Sequence, residues 1–237
     1  MIVGPMASVR NGVLTLGPGA VDGAALLEAA KFMYTGSFEV GEDTVFSLLA
    51  AANYLGLDGM KGGCAKVMLE NLTPQNALGL LEALTQYACA KESIEEAEAS
   101  VAAAFEEVAA EDEWVALDEA AVRSWLSRSD LRMKSEAAAF DALVRWTEHR
   151  PAEREGSFAS LFGAVVRLPQ LSVGELEAVR DSPKGAAVQG ALLDETLRRE
   201  QGGAHATEPR RYCPDFVEPT TCERTLEGHT HDIWGLV

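Results

Sequence analysis

Ala24 to Leu72 reads AALLEAAKFMYTGSFEVGEDTVFSLLAAANYLGLDGMKGGCAKVMLENL, and its punctuation decides the fold. Leu26, Ala30 and Met33 recur at helical spacing and predict a first amphipathic helix. Tyr34-Thr35-Gly36 stops it, because Gly36 can take the left-handed conformation at a helix end. Val45, Leu48, Leu49, Ala52 and Leu55 repeat the period in a second helix, which Gly56 ends. Asp58 stands where a cap for the next helix belongs. Met60, Cys64, Val67 and Met68 lay one apolar stripe along that third helix. Between the first two, Ser37-Phe38-Glu39-Val40 alternates like a short strand.

Outward from this stretch the helical pattern continues. Upstream, Val13-Leu14-Thr15-Leu16 is the best strand candidate, set between Asn11-Gly12 and Gly17-Pro18-Gly19. Downstream, Thr73 reads as a cap with Pro74 at the first helical position, and Ala77, Leu81, Leu84 and Ala88 share a stripe. A helix from about Ala90 to Val108 follows, with Ile94, Ala97, Val101, Ala104 and Val108 inward and an acidic outer face. Asp118 reads as a cap for the helix carrying Val122, Trp125 and Leu126. Ser135 opens another with Phe140, Leu143, Val144 and Thr147, and Glu148 to Glu155 reads as a charged loop. Phe158, Leu161, Phe162 and Val165 form the next stripe. Ser172 and Glu175 have the spacing of a capping box, and a last helix is expected over about Ala186 to Glu200. From Gly202 to Arg224 glycine and proline break every period, which predicts a linker.

Composition narrows what such a chain can do. Its 237 residues are 47% hydrophobic and only 7% aromatic, enough for a sizeable core and biased to helix bundles rather than sheets. The net charge of -17 opposes a phosphate backbone, so no nucleic-acid partner is expected; a basic protein partner fits better. No stretch reaches the roughly 20 apolar residues that span a bilayer, so no membrane role is expected. Cys64 and Cys89 fall on apolar faces as small hydrophobes. With no secretory leader to read, a cytoplasmic or nuclear compartment is expected.

No catalytic constellation emerges, and an enzyme is not expected. There is neither a Gly-x-Ser-x-Gly elbow nor a phosphate-binding glycine loop ending in Lys. Glu95, Glu96 and Glu98, like Glu111, Asp112 and Glu113, read as solvated faces, since catalytic carboxylates need burial. Cys213, Cys222, His229 and His231 are the zinc-type donors, but the gap between the two cysteines exceeds the usual two to four residues. No metal or cofactor is expected.

Several linked motifs resemble the BTB fold: Leu26-Leu27 with Lys31-Phe32-Met33-Tyr34-Thr35-Gly36, then Leu48 to Leu55, then the Cys64 helix ending Glu70-Asn71-Leu72. Others resemble the BACK domain that follows BTB: Leu72-Thr73-Pro74-Gln75-Asn76-Ala77, Trp125 to Leu131, Phe140 to Trp146 and Val166-Arg167-Leu168-Pro169. The tail from Thr225, with Gly228-His229 and Ile233-Trp234, resembles the opening of a WD-repeat blade. The resemblance implies a mainly α chain with little β. It divides into a partial BTB domain lacking its N-terminal half over 1–72, a BACK bundle over 73–201, a linker over 202–224 and the start of a blade over 225–237. Such a half domain leaves an apolar face uncovered.

What the resemblance implies about function is a kelch-like adaptor that binds the cullin-3 scaffold and presents protein substrates to a RING ubiquitin ligase. The family's cullin contact, a hydrophobic residue, any residue, then Glu, falls on Met6-Ala7-Ser8, with Ser8 where Glu is expected. The paired helices from Pro74 to Val108 match the segment that extends the cullin surface, and Tyr54, read as lying on the turn after the second helix, is a further contact. The alternative is a dimerisation or scaffold module without ligase function, a homodimer being implied where the full BTB domain exists.

Overall fold

The computed structural model describes residues 7–10 and 13–16 as strand backbone and residues 21–201 in full. The linker, the blade-like tail, Met6 and the zinc-type donors lie outside the described residues. The fold is mainly α. In chain order come β1 (Ala7–Arg10), β2 (Val13–Leu16), α1 (Gly23–Thr35), α2 (Val45–Leu55), α3 (Asp58–Glu70), α4 (Ala77–Gln86), α5 (Lys91–Ala103), α6 (Phe105–Ala109), α7 (Asp112–Ala116), α8 (Glu119–Ser127), α9 (Ala137–His149), α10 (Pro151–Val165), a 3-10 turn (Leu168–Gln170), α11 (Val173–Asp181) and α12 (Gly185–Glu200). The expected strand at Val13 is present. Its partner, which the sequence did not reveal, is Ala7–Arg10, antiparallel, with Ser8 opposite Thr15.

The first core lies among α1, α2, α3, α4 and the start of α5. It holds Ala29, Leu48, Leu49, Ala52, Met60, Cys64, Met68 and Leu84, all buried. Gly36 and Gly56, both at φ 69°, end α1 and α2 in the left-handed conformation, as a helix needing an abrupt stop requires. The first stripe differs from expectation. Ala25 and Ala29 face inward, while Met33 and Tyr34 are exposed, because α1 lies close enough to α2 for only small side chains to fit between them. Ser37 to Val40 is not a strand. Phe38 meets Phe32 edge-on at 5.4 Å, and the Glu39 N–H donates to Glu28 Oε1 at 2.9 Å instead of to a neighbouring strand. Asp58 is the first residue of α3 rather than its cap, and it pairs with Lys61 at 3.2 Å.

Thr73 to Asn76 forms a turn before α4, not a capped helix start. Asn76 Oδ1 accepts from the Thr73 N–H at 2.8 Å, and its Nδ2 donates to the Asn71 carbonyl at 3.1 Å. Ala88, expected inward, has φ 48° and is exposed where the chain turns from α4 to α5. The two helices straddle both cores: Leu80, Ala83, Leu84 and Ala97 belong to the first, Ala77, Leu78, Val101 and Ala102 to the second.

The second core gathers α6 to α12 around Trp114, Trp146, Phe105, Phe158 and Phe162. The helix expected from Ala90 to Val108 breaks at Ala104, which lets Phe105 turn edge-on to Trp114 at 5.4 Å. Both indoles are satisfied: Trp114 Nε1 donates to the Ala142 carbonyl at 3.0 Å and Trp146 Nε1 to the Leu117 carbonyl at 2.8 Å. The expected loop at Glu148 to Glu155 is largely helix. Pro151 opens α10, where its missing N–H costs nothing. Asp118 caps α8 through the Ala121 N–H at 2.7 Å, and the Ser172–Glu175 capping box is complete.

Candidate interaction surface

Reactive chemistry has little to work with among the described residues. No group of His, Cys, Asp and Glu there could hold a metal ion, and no helix is long and apolar enough to cross a membrane. Cys64 and Cys89 are free and buried. Burial, with Cys89 nearby, pushes the Cys64 thiol up to about 11; burial also raises Cys89, against the opposing charge of Lys61. A thiol held protonated is a poor nucleophile. His149, the only histidine among the described residues, lines a shallow hollow of about 330 Å³ with Asp112, Asp141 and Arg145. No serine or cysteine lines it. Arg145 is spent on the Ala109 carbonyl at 3.1 Å and on Asp112 at 3.5 Å.

The larger feature is a cleft of about 700 Å³ between α4, α7 and α8. Its floor is apolar, built from Leu78, Leu81, Leu117 and Trp125, and its rim carries Glu82, Glu113 and Asp118. The walls are fixed by helix-end chemistry. Glu113 Oε2 accepts from the Gly79 N–H at 3.0 Å, in the first turn of α4, where a carboxylate completes an orphan donor and meets the positive end of the helix dipole. Gln75 Nε2 donates to Glu111 Oε1 at 2.9 Å, a second stitch between the turn before α4 and the start of α7. Asp118 is committed to capping α8, which leaves Glu82 as the rim carboxylate open to solvent. Beneath the far wall the Arg128 guanidinium stacks 5.0 Å from the Trp125 ring. Its hydrogen bond to Asp130 raises its pKa; burial opposes this, and Glu98 adds to it.

The residues expected to contact a partner fall in different places. Met6 is outside the described residues. Ser8 lies in β1, at the register position opposite Thr15. Tyr54 sits in the last turn of α2 rather than beyond it, half-buried. The cleft was not anticipated: Trp125 reads in the sequence only as part of a helix stripe and Glu111 to Glu113 as a solvated face, because the contact that makes Glu113 a wall joins residues 34 positions apart.

The described residues thus offer a helical body with an apolar, acid-rimmed cleft on α4. Comparison with known proteins adds the family. Residues 77–181 match the BACK family, described as BTB And C-terminal Kelch. Over 222 residues the chain is 31% identical to human Kelch-like protein 17, a span of 89% of this chain and 34% of that protein. It is 32% identical over 153 residues to mouse Kelch-like protein 28, 65% of this chain and 26% of that relative. With human Kelch-like protein 4 the identity is 31% over 191 residues, 81% and 26% of the two chains. These matches support a BTB-BACK, kelch-like family for the chain, which spans about a third or less of the length of these relatives.

Proposed function

We propose that the chain is a protein-interaction adaptor rather than an enzyme, acting as a substrate-recognition subunit of a cullin-3 RING ubiquitin ligase. The observation that carries the proposal is the pair α4 and α5. It joins the two cores, and on the outer side of α4 it leaves an apolar cleft with an acidic rim. A cleft of that kind suits an extended, apolar segment carrying basic residues, and a chain of net charge -17 steers such a segment toward it. In this reading residues 1–72 are a partial BTB domain, 73–201 a BACK domain, 202–224 a linker and 225–237 the opening of a WD-type blade. Met6, Ser8 and Tyr54 extend the contact with the scaffold.

The direct test is binding to the immobilised N-terminal region of cullin-3. Micromolar or tighter binding is expected, strengthened by Ser8→Glu and weakened by Tyr54→Ala and by Glu82→Lys, which reverses the open rim charge. No binding at about 100 μM by folded protein, with Ser8→Glu equally silent, rejects the ligase reading. Ser8 at the position of the family's glutamate favours a second reading, a dimerisation or scaffold module without ligase function. That reading expects the same silence.

A further inference from the structure

The loop between α8 and α9 is a basic island in an acidic chain. Arg123 to Lys134 reads RSWLSRSDLRMK, four basic residues against one acidic, where the whole chain has a net charge of -17. The loop is held at its middle. Leu131 and Met133 are buried, and the Arg132 N–H donates to the Ala102 carbonyl at 2.8 Å. Ser129 stands upstream of those anchors, outside any helix and exposed. A side chain from another part of the fold reaches it. Arg167, between α10 and the 3-10 turn, donates from Nη2 to Ser129 Oγ at 2.9 Å and to the Ser127 carbonyl at 3.3 Å. A guanidinium on an exposed neutral hydroxyl gains when that hydroxyl gains negative charge, since charge-assisted hydrogen bonds are about twice as strong as neutral ones. The one acid of the island does not oppose such a charge bare: Asp130 accepts from Arg128 Nε at 2.9 Å and from its Nη2 at 2.7 Å.

We propose that Ser129 is a phosphorylation site and that Arg167 holds its phosphate. The donor is a nucleoside triphosphate on a serine kinase whose acidic groove takes arginine-rich segments. The Ser129 Oγ–P bond forms as the bond from the γ-phosphorus to the bridging oxygen breaks. The nucleoside diphosphate leaves, and the hydroxyl proton passes to the kinase's catalytic carboxylate. The new group carries about two negative charges and three acceptor oxygens. It turns one neutral hydrogen bond into a charged fork from Arg167 and ties the α8–α9 loop more tightly to the connection between α10 and α11. Ser127 is the poorer acceptor. Its hydroxyl donates to the Arg123 carbonyl at 2.7 Å, and a phosphate there meets the negative end of the α8 dipole. Neither Ser129 nor Arg167 lines the α4–α8 cleft, so this proposal and the adaptor reading succeed or fail separately.

The experiment has two arms, both on the full chain. In the first, the chain is expressed in animal cells with phosphatases blocked and mapped by peptide mass spectrometry; phosphate is expected on Ser129. In the second, phosphoserine is genetically encoded at position 129 and titrated by phosphorus NMR. A phosphoserine without a partner titrates at about pH 6. Beside Arg167 the midpoint is expected about one unit lower, and Arg167→Gln should return it to about 6. Where Arg167→Gln loses its helical circular dichroism, Arg167→Lys serves instead: it keeps a charge but not the fork, so its midpoint should fall between the two. Hydrogen exchange over Ser127 to Leu131 should slow on phosphorylation with Arg167 present and not in its absence. Ser129 left unmodified in cells overturns the proposal. So does a phosphate on Ser129 whose midpoint stays at about 6 and ignores the change at Arg167.

Discussion

Arg154 is buried without a carboxylate hydrogen-bonded to it, and its removal is the sharpest test of how the second core is held. The side chain is 7% exposed. Nη1 donates to the Val115 carbonyl at 2.9 Å and to the Trp146 carbonyl at 2.6 Å, and Nη2 to the Leu117 carbonyl at 3.2 Å. The guanidinium also lies 4.1 Å from the Trp146 ring centroid. Those carbonyls belong to the ends of α7 and α9, where the backbone has no partner of its own and the helix dipole is negative. Two helix C-termini thus stand in for a counter-ion, which explains how the charge is tolerated even though burial, with Arg150 nearby, lowers its pKa. In Arg154→Ala the Val115 and Trp146 carbonyls lose this donor, at about 1 kcal/mol or more each where water does not reach them, while the Leu117 carbonyl keeps the Trp146 indole; with the stacking energy lost as well, the total is about 3–5 kcal/mol. Arg154→Lys keeps the charge but loses the fork, so it should cost about half as much. In urea denaturation followed by circular dichroism the order should be wild type, Lys, Ala. A loss of 4 kcal/mol lowers the melting temperature by about 8–16 °C for a chain of this size. If the alanine variant costs under about 1 kcal/mol, or the lysine variant costs as much as alanine, the helix-end account is wrong.

Three further outcomes are expected. A methyl group at Gly63 would stand 2.6 Å from the Phe38 ring, so Gly63→Ala should cost about 1–3 kcal/mol, whereas Gly62→Ala, with nothing within 4 Å, should be neutral or stabilising by about 0.5–1 kcal/mol; thermal melts of the pair check this. Glu195 is 1% exposed and holds Arg198 and Arg199, each at 2.8 Å, and Arg199 also donates to the Leu168 and Leu171 carbonyls. Glu195→Gln should therefore cost about 2 kcal/mol and speed hydrogen exchange selectively in α12. In the Ser172 capping box, burial tends to raise the Glu175 pKa, but hydrogen bonds from Ser135 and Ser172 outweigh it and leave the pKa lowered. The sign follows: the stabilisation by Glu175 is present above its unfolded pKa and disappears as pH falls through the lower folded value. Glu175→Gln should thus cost about 1 kcal/mol at pH 7 and progressively less as pH falls below the ordinary glutamate pKa, as melts across that range will read.

Much of the fold was legible because its signals are local. The left-handed stops at Gly36 and Gly56, the Asp118 cap, the Ser172–Glu175 box and the stripes of α2 and α3 depend on residues within a turn or two of each other. What the sequence concealed depends on distant neighbours. Pro151 opens a helix because α10 packs back along α9, and from local pattern the charged run around it reads as loop. Ala104 breaks the long acidic helix so that Phe105 can reach Trp114, a demand made by residues further along the chain. The cleft has the same origin. Glu113 looks like surface charge until α4 is brought against it and Gly79 offers its N–H.

The misreading of α1 has a different cause. Periodicity reports which positions are apolar, and in α1 nearly every position is. Preference for large side chains then places Leu26 and Met33 inside, whereas the structure places Ala25 and Ala29 there. The selector is the distance between helices: α1 and α2 lie close, Ala29 is fully buried between them, and a leucine at that position would force them apart at a cost of about 1–3 kcal/mol. Large residues displaced from an inner face by close packing go to the outer one, where Leu27, Met33 and Tyr34 are exposed. The two-faced pattern that defeated the stripe rule therefore leaves one side of α1 packed and the other exposed. It follows that substitutions on its two sides should separate, with Ala29→Leu lowering the melting temperature of the chain and Leu27→Asp, at a residue 73% exposed, changing stability by no more than about 0.5 kcal/mol.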